Sequence, residues 1–350
     1  MDRYKVIGLM SGTSLDGVDI ACCQFYNDHG QWDYSILHAE TIPYSEDWLK
    51  RLSGLPGSTA VEFAATDHAF GHLLGSLCMN FIEKYNIKAD FIASHGHTVF
   101  HQPGQGFTSQ VGNGAAIKAE TGLPVICDFR SGDVANGGQG APLVPAGDRL
   151  LFSAYDFCLN LGGFANISFE SSGNRIAFDI CPVNIVLNSL SGLAGLPFDK
   201  DGRLAQSGKV SPSLLEQLNS LPYYMQSGPK SLGKEWVEEN INPILSDSGL
   251  ILIDILSTFV THIAQQISLQ TEKESSKKLF ITGGGAHNKY LVSMIRSLVK
   301  PQIIIPDLLT VDFKEAIIFA FLGVLRWRKE INCFKTVTGS KQDGSFGAVY

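Results

Sequence analysis

The stretch VIGLMSGTSLDGVDIACCQF, which runs from Val6 to Phe25, decides the fold because it predicts a strand, a polar turn and a second strand. Apolar residues continue to Met10 and resume at Val18, and the Asp-Gly pair between them is a strong hairpin signal. Such a turn points backbone N–H groups and hydroxyls at one place, which suits phosphate oxygens. The alternative is an ordinary tight hairpin whose polar residues satisfy only their own backbone.

Two carboxylates, Asp16 and Asp19, belong to the same turn. A carboxylate repels phosphate directly, so beside a phosphate it makes sense chiefly as a ligand of magnesium or of water. We therefore predict that Asp16 contributes to a Mg²⁺ site.

The composition is that of a globular protein. The chain has 350 residues, of which 44% are hydrophobic and 17% charged, and this length predicts about two domains. The net charge is −7 and no basic run is present, which argues against nucleic acid or an anionic membrane as a partner. An anionic ligand must therefore be held by local groups, and we expect a small-molecule substrate.

The sequence also predicts a compartment. The apolar run at the N-terminus is too short for a signal peptide, and the longest apolar stretch, Leu250 to Val260, is too short to cross a bilayer. The seven cysteines show no CxxC spacing, which fits free thiols in a reducing cytoplasm. We expect a cytoplasmic protein without membrane contact. The oligomeric state stays open, and a homodimer is one alternative.

The stretch from Asp156 to Glu170, DFCLNLGGFANISFE, repeats the strand, glycine turn and strand of the first hairpin. Its turn contains Gly162 and Gly163. A glycine turn is a weak signal by itself, but two such hairpins indicate a duplicated architecture with two lobes. If they faced each other across a cleft, they would hold a polyphosphate from both sides.

Asp179 is a candidate general base. It ends a predicted strand that begins at Arg175, and the Pro182 to Asn184 segment predicts the start of a helix. A carboxylate at a strand end that faces a cleft is well placed to accept a proton. The alternative is that Asp179 caps the helix.

A triple glycine, Gly283 to Gly285, lies between a predicted strand, Lys277 to Thr282, and a predicted helix, Ala286 to Val299. This pattern suits a nucleotide because glycines allow close approach and a helix N-terminus attracts negative charge. No Gly-Lys-Ser/Thr follows, so it is not a Walker motif. Glu315 lies near the start of a further predicted helix, Asp312 to Trp327, and the sequence favours a first-turn role over a ligand contact.

The remaining pattern completes the alternation of helices and strands. Phe91 to Ser94 predicts a short buried strand that runs into a polar loop, HGHTVFH. A metal site formed by the histidines of this loop is a less favoured alternative. The glycine-rich segment ANGGQGAPLVP, residues 135–145, predicts the hinge or the cleft lip between two lobes, and the alternative is a plain linker. Further predicted elements are strands at Tyr34–Ile42 and Val125–Phe129, helices at Thr59–Tyr85 and Leu250–Leu269, and a strand at Ile303–Ile305.

These motifs resemble those of the anhydro-N-acetylmuramic acid kinase family of bacterial cell-wall recycling. They match in order over nearly the whole chain, and the first is long and specific. The matching segments are GLMSGTSLDGVD from Gly8, SHGHT from Ser94, DFRSGDVANGGQGAPLVP from Asp128, LNLGGFANIS from Leu159, PKSLGKEW from Pro229, TGGGAHN from Thr282 and KEAIIFAFL from Lys314.

The resemblance implies an α/β, two-lobed actin-like ATPase or sugar-kinase fold with a duplicated mixed-sheet core and a central cleft. We divide the chain into lobe I, residues 1–130 with 330–350, and lobe II, residues 131–329. The resemblance also implies a reaction in which water opens the 1,6-anhydro ring of the sugar and ATP phosphorylates O6, with Mg²⁺ as cofactor.

The resemblance also assigns roles residue by residue. Asp179 resembles the family's catalytic aspartate, and Thr98, Arg130 and Glu315 fall in motifs expected to contact the sugar. A positive Arg130 suits the lactyl carboxylate. ATP binding is implied for Gly12, Thr13, Ser14, Leu15, Asp16, Gly17, Val18, Asp19, Gly162, Gly163, Gly283, Gly284 and Gly285.

The sequence departs from the family pattern after the base. The family has Asp-Thr-Gly-Pro-Gly-Asn, and this chain has Asp-Ile-Cys-Pro-Val-Asn over residues 179–184. Both glycines are replaced, which puts the choice of sugar in question. One alternative function is therefore a kinase for a free hydroxyl of another amino sugar. A second is an actin-like nucleotide-binding module without turnover.

Overall fold

The computed structural model describes residues 2–226, 228, 230–271 and 275–350. Pro229, the first residue of the PKSLGKEW motif, lies outside the described residues. The strands are β1 (Asp2–Ser11), β2 (Val18–Asp28), β3 (Gln31–Ile42), β4 (Phe91–Gln102), β5 (Phe107–Val111), β6 (Val125–Cys127), β7 (Phe157–Leu161), β8 (Phe164–Ser171), β9 (Asn174–Pro182), β10 (Lys278–Thr282), β11 (Gln302–Ile304) and β12 (Ala348–Val349).

Helices alternate with these strands. They are α1 (Glu46–Gly54), α2 (Ala60–Tyr85), α3 (Gly114–Thr121), α4 (Ser131–Ala135), α5 (Val144–Leu151), α6 (Asn184–Gly192), α7 (Arg203–Ser207), α8 (Pro212–Asn219), α9 (Lys234–Asn240), α10 (Asn242–Ser246), α11 (Leu252–Gln270), α12 (Lys289–Leu298), α13 (Leu308–Trp327) and α14 (Lys335–Thr338). In the described part of the chain, no helix is both long enough and apolar enough to cross a bilayer.

The chain forms two compact units, Met1–Phe152 with Phe313–Tyr350 and Ser153–Asp312. The sequence-based division assigned residues 131–152 and 313–329 to lobe II, whereas they belong to the first unit. The reason is packing, because a buried ion pair between Asp148 and Lys314 joins α5 to α13. The segment 135–145, predicted as a hinge, therefore lies inside the first unit.

Each unit contains one sheet, and the two sheets share a strand order. The first sheet reads β3-β2-β1-β4-β6 and the second β9-β8-β7-β10-β11, with β5 and β12 as additions to the first. In both sheets, the three strands that follow one another in the chain, β1 to β3 or β7 to β9, pair antiparallel. β4 and β6 run parallel to β1, and β10 and β11 run parallel to β7. This repeat confirms the predicted α/β fold with a duplicated mixed-sheet core.

The first hairpin forms as the sequence predicts. β1 pairs with β2 from Asp2 opposite Asn27 to Ser11 opposite Val18, and the alternating apolar side chains pack into a buried core. The helix that carries Glu315 packs closely on this hairpin. A Cβ on Gly8 would lie 2.0 Å from the carbonyl oxygen of Ala316, so only glycine permits this approach of β1 to α13.

Three local predictions were wrong. β4 continues through the predicted polar loop to Gln102, because β5 pairs with it. β9 continues to Pro182, so Asp179 lies inside a strand paired with β8 and not at a strand end or as a helix cap. The triple glycine enters a 3-10 turn, Gly284–His287, before α12 begins at Lys289.

The position of Glu315 in its helix was also wrong. α13 begins at Leu308, because the Asp307 carboxylate accepts hydrogen bonds from the backbone N–H and the hydroxyl of Thr310 at 3.0 and 2.9 Å. Glu315 therefore lies about two turns inside the helix, beyond the reach of a first-turn dipole role.

Candidate active site

The candidate site of the first unit is built on the turn between β1 and β2. The Leu15 N–H donates to the Gly12 carbonyl at 3.2 Å, and Leu15 has a φ of 61°, so the turn closes tightly. Thr13, Ser14 and Asp16 are exposed, whereas Gly17 and Val18 are buried. Of the residues predicted to bind ATP here, the exposed ones can offer side chains and the buried ones only backbone.

The base of this turn is anchored by side chains. The Ser11 hydroxyl lies 2.9 Å from His97 Nδ1 on β4 and 2.6 Å from the Tyr44 hydroxyl, and Ser11 is buried. These bonds fix the strand that enters the turn. They also give His97 a structural partner inside the first unit.

The carboxylates of the turn differ in their surroundings. Asp19 accepts a hydrogen bond from the Thr41 hydroxyl at 2.5 Å. Asp16 is exposed, and its side chain makes no hydrogen bond or ion pair with any residue that the structure describes. Mg²⁺ is usually held by one or two carboxylates together with waters and substrate phosphates, so this donor set fits it.

Arg130 is fixed by neutral partners. Its Nε and Nη2 groups donate to His95 Nε2 at 3.0 and 2.9 Å, and its Nη1 group donates to the Gly140 carbonyl at 2.6 Å. Among the described residues Arg130 forms no ion pair. Burial lowers the pKa of Arg130 to about 10, and the charge of Glu315 opposes that shift. The guanidinium remains cationic at neutral pH without an adjacent protein carboxylate bonded to it, which suits an anionic ligand.

The protonation state of His95 follows from its contacts. Its Nδ1 lies 2.9 Å from the Gly96 carbonyl, so Nδ1 carries the proton and donates it. Nε2 is then the acceptor for Arg130. Burial, reinforced by the charge of Arg130, holds the pKa of His95 well below its usual range. His95 is therefore a neutral support for the guanidinium.

Glu315 is coupled electrostatically to this group. Burial raises the pKa of Glu315, the charge of Arg130 opposes the shift, and the charge of Asp19 adds to it. The first unit thus brings Asp19, Arg130 and Glu315 together. Thr98 lies on β4 opposite Gln110, and no hydrogen bond joins it to Arg130 or Glu315 in the described chain.

The candidate site of the second unit begins at the glycine hairpin between β7 and β8. The N–H groups of Val183 and Asn184 donate to the carbonyls of Gly163 and Gly162 at 2.8 and 3.2 Å. The Asn184 side chain donates to the Leu161 carbonyl at 3.1 Å. The Gly162 N–H also donates, to the Phe164 carbonyl at 3.2 Å. A phosphate at this hairpin would therefore depend on the Gly163 N–H.

The triple glycine lies beside the same hairpin. Thr282, the last residue of β10, pairs with Asn160 of β7, and a Cβ on Gly285 would lie 2.7 Å from the Leu161 side chain. The second unit therefore brings together Gly162, Gly163 and the Gly283 to Gly285 segment, as the prediction of one nucleotide site requires.

Asp179 is held in a defined orientation. Its backbone N–H donates to the Lys230 carbonyl at 3.0 Å, and its carbonyl accepts from the Tyr223 hydroxyl at 2.7 Å. The Leu232 N–H donates to Asp179 Oδ2 at 2.9 Å, and Oδ1 has no hydrogen-bond partner in the residues described. One oxygen is anchored while the other can accept a proton.

The acidity of Asp179 suits a base. Burial raises the pKa of Asp179 to about 6, and the hydrogen bond from Leu232 opposes that shift. The carboxylate is therefore ionised at neutral pH and is a stronger base than an exposed aspartate. Contacts from Tyr223, Lys230 and Leu232, which are distant from Asp179 in the sequence, hold it in this setting.

The replaced residues after the base are buried. Ile180 is 1% exposed, and Cys181 and Val183 are 0% exposed. All three pack in the hydrophobic core of the second unit. Their side chains fill the core, so the loss of the family's glycines changes core volume and not the surface beside Asp179.

Comparison with known sequences assigns the family. Residues 4–350 match the family described as "Anhydro-N-acetylmuramic acid kinase". The chain belongs to the anhydro-N-acetylmuramic acid kinase family. Similar proteins of that name occur in Pseudomonas syringae pv. tomato, at 37% identity over 99% of each chain, and in Coxiella burnetii, at 34% identity over 100% of this chain and 98% of the other.

Solved structures with a similar fold are remote. A ROK family glucokinase from Streptomyces griseus in complex with glucose and AMPPNP has a TM-score of 0.39 at 12% identity, over 90% of this chain and 97% of that chain. An activator of 2-hydroxyisocaproyl-CoA dehydratase from Clostridium difficile has a TM-score of 0.42 at 14% identity, over 93% and 97%. The family assignment does not depend on either likeness.

Proposed function

We propose that this protein is an ATP-dependent kinase that opens the 1,6-anhydro ring of anhydro-N-acetylmuramic acid with water and phosphorylates O6. The products are N-acetylmuramic acid 6-phosphate and ADP. In a chain of this family, the observation that carries the proposal is the Asp179 carboxylate, with Oδ2 anchored by Leu232 N–H and Oδ1 free of hydrogen bonds among the described residues.

The proposed reaction assigns one task to each group. Asp179 Oδ1 takes a proton from water, and the water oxygen forms a bond to the anomeric carbon while the bond from that carbon to O6 breaks. The released O6 bonds to the γ-phosphorus of ATP, and ADP leaves. Arg130 binds the lactyl carboxylate, which places the sugar before the proton moves.

The phosphates of ATP have two binding segments in this proposal. The backbone of the Gly12 to Asp19 turn would donate N–H groups to phosphate oxygens. The second hairpin would contribute the Gly163 N–H, because the Gly162 N–H already donates to the Phe164 carbonyl at 3.2 Å. Asp16, with Asp19 nearby, would hold Mg²⁺, which neutralises phosphate charge when it is bound with ATP. Gly283 to Gly285 gives the backbone room for the adenosine part.

The alternative of a different amino sugar loses its motivation. It rested on the replacement of family residues at Ile180, Cys181 and Val183, and those side chains are buried in the core. Burial supports retention of the family substrate because core side chains do not contact a sugar.

Isotope labelling tests the proposal. We expect purified protein with ATP, Mg²⁺ and the anhydro sugar in ¹⁸O-labelled water to give a phosphorylated sugar with the label at the anomeric oxygen. A second sugar with ¹⁸O in the anhydro bridge should retain that label in the phosphate ester, which ³¹P NMR detects. The reaction must be quenched early, since a free anomeric hydroxyl exchanges with water.

Three outcomes would contradict the proposal. They are the absence of phosphorylated sugar, the loss of the bridge label from the ester, and faster phosphorylation of the open sugar than of the bridged sugar. ATP binding without transfer to any sugar would instead favour a nucleotide-binding module.

A further inference from the structure

A buried carboxylate lies behind Arg130. Asp133 is 0% exposed, and its two oxygens accept hydrogen bonds from three uncharged donors. The Gly140 N–H donates to Oδ2 at 2.7 Å, and the hydroxyl of Thr338 and the thiol of Cys333 donate to Oδ1 at 2.8 and 3.2 Å. A buried carboxylate without an ion pair is costly, so its retention calls for a specific function.

The glycine-rich segment 135–145 wraps around this carboxylate. The Gly138 N–H donates to the Asp133 carbonyl at 2.9 Å, and a Cβ on Gly138 would lie 2.2 Å from Asp133 Oδ2. Gly140 has a φ of 67°, and a Cβ there would lie 2.7 Å from the Val134 side chain. The glycines are needed because the backbone closes directly on Asp133.

Gly140 connects the carboxylate to the guanidinium. Its N–H binds Asp133, and its carbonyl accepts the 2.6 Å hydrogen bond from Arg130 Nη1. His95 holds the other edge of the guanidinium through Nε2. The orientation of Arg130 therefore depends on His95 and Gly140. Asp133 fixes Gly140 and makes no hydrogen bond or ion pair with Arg130 itself.

We propose that Asp133 is a positioning residue, which acts through Gly140 to hold the Arg130 guanidinium in place for an acidic group on the substrate. This inference rests on the proposed function, in which that group is the lactyl carboxylate of the sugar. Asp133 bonds to Gly140 and not to the guanidinium, so it aligns the Arg130 N–H groups without occupying them, and the acidic group of the substrate can bind there.

The test is Asp133→Asn, which keeps the size of the side chain and replaces one acceptor oxygen by a donor. We expect the KM for the anhydro sugar to rise about 10- to 100-fold, because a misplaced binding group costs this much. The kcat and the KM for ATP should stay within about 2-fold, because Arg130 binds the substrate and the transition state alike.

Cys333→Ala is the matched control. It removes a different hydrogen bond from the same carboxylate and leaves the Gly140 bond in place. We expect Cys333→Ala to lower the resistance to urea and to leave the KM for the sugar unchanged. If the role of Asp133 were merely structural, Asp133→Asn would behave in the same way. A bridged sugar that lacks the lactyl group should inhibit wild type and Asp133→Asn with equal strength.

NMR of ¹⁵N-arginine-labelled protein gives a readout that does not need activity. The Arg130 Nε–H signal, assigned with Arg130→Lys, should shift and broaden in Asp133→Asn and not in Cys333→Ala. If wild type phosphorylates no sugar, the proposed function fails while this signal still tests the positioning role. If Asp133→Asn does not fold, the smaller Asp133→Ser takes its place. A signal and a sugar KM that both match wild type would overturn the inference.

Discussion

Asp179→Asn is expected to lower kcat by about 10²- to 10⁴-fold, the contribution of a positioned general base. Asparagine is nearly the same size and still offers an oxygen to the Leu232 N–H, which lies 2.9 Å from Asp179 Oδ2. The backbone bonds to Lys230 and Tyr223 do not involve the side chain and should persist. Only the ability to take a proton is lost, so the Kd for ATP should change by less than about 2-fold.

Asp201→Asn is the control for this variant. Asp201 lies in the same unit and pairs with the exposed side chains of Lys289 at 3.1 Å and Arg203 at 3.4 Å, so its replacement should leave kcat unchanged. Single-turnover rates with saturating ATP separate the chemical step from product release. Near-normal turnover of Asp179→Asn would remove Asp179 from the role of base.

The pH dependence should report the same carboxylate. Because burial raises the pKa of Asp179 to about 6, kcat/KM should fall about tenfold per pH unit below pH 6 as the base becomes protonated. Asp179→Asn should lack this acid limb. The free energy of unfolding should depend on pH in the opposite direction to kcat/KM, because a raised pKa in the folded state means that protonation favours folding. Wild type should therefore lose stability relative to Asp179→Asn as the pH rises through 6.

If kcat/KM of Asp179→Asn still falls at acid pH, the titration belongs to another group. Glu315 is the obvious rival, since burial raises its pKa as well. Profiles of Glu315→Gln measured under the same conditions distinguish the two carboxylates.

The parts of the fold that depend on local pattern could be predicted from the sequence. Both hairpins and the helix α2 were predicted within a few residues, because turn residues and capping signals are local. Thr59 and Glu62, for example, form a reciprocal capping box at the start of α2. The duplication also followed from the repeated hairpin.

The site depends on contacts that are distant in sequence, and these could not be predicted. The sequence analysis singled out Arg130, but its supports lie 35 residues before it, at His95, and 10 residues after it, at Gly140. The histidine was assigned to a polar loop because β5, which extends the strand, is not visible in the pattern of β4 itself. Asp133 looked like an ordinary polar residue beside glycines.

Lys314→Met is expected to destabilise the first unit by about 3–5 kcal/mol, the cost of removing one partner of a buried ion pair. Lys314 Nζ lies 2.7 Å from Asp148 Oδ1, and both side chains are 4% exposed. The pair joins α5 to α13, one residue before Glu315. Urea unfolding gives the loss of stability, and hydrogen exchange over 144–151 and 313–327 should show that the weakening is centred on these helices.

Lys234→Met is the matched control, because it makes the same replacement in an exposed pair. Lys234 and Glu238 are 3.4 Å apart with side chains 73% and 54% exposed, so the loss should be below about 0.5 kcal/mol. Replacing both buried partners, Lys314→Met with Asp148→Leu, should recover most of the stability since the two buried charges are removed together. Equal losses from Lys314→Met and Lys234→Met would contradict the argument that the buried pair contributes more than the exposed one. A double variant that is weaker than Lys314→Met would show that α5 and α13 need the charges themselves and not only a filled space.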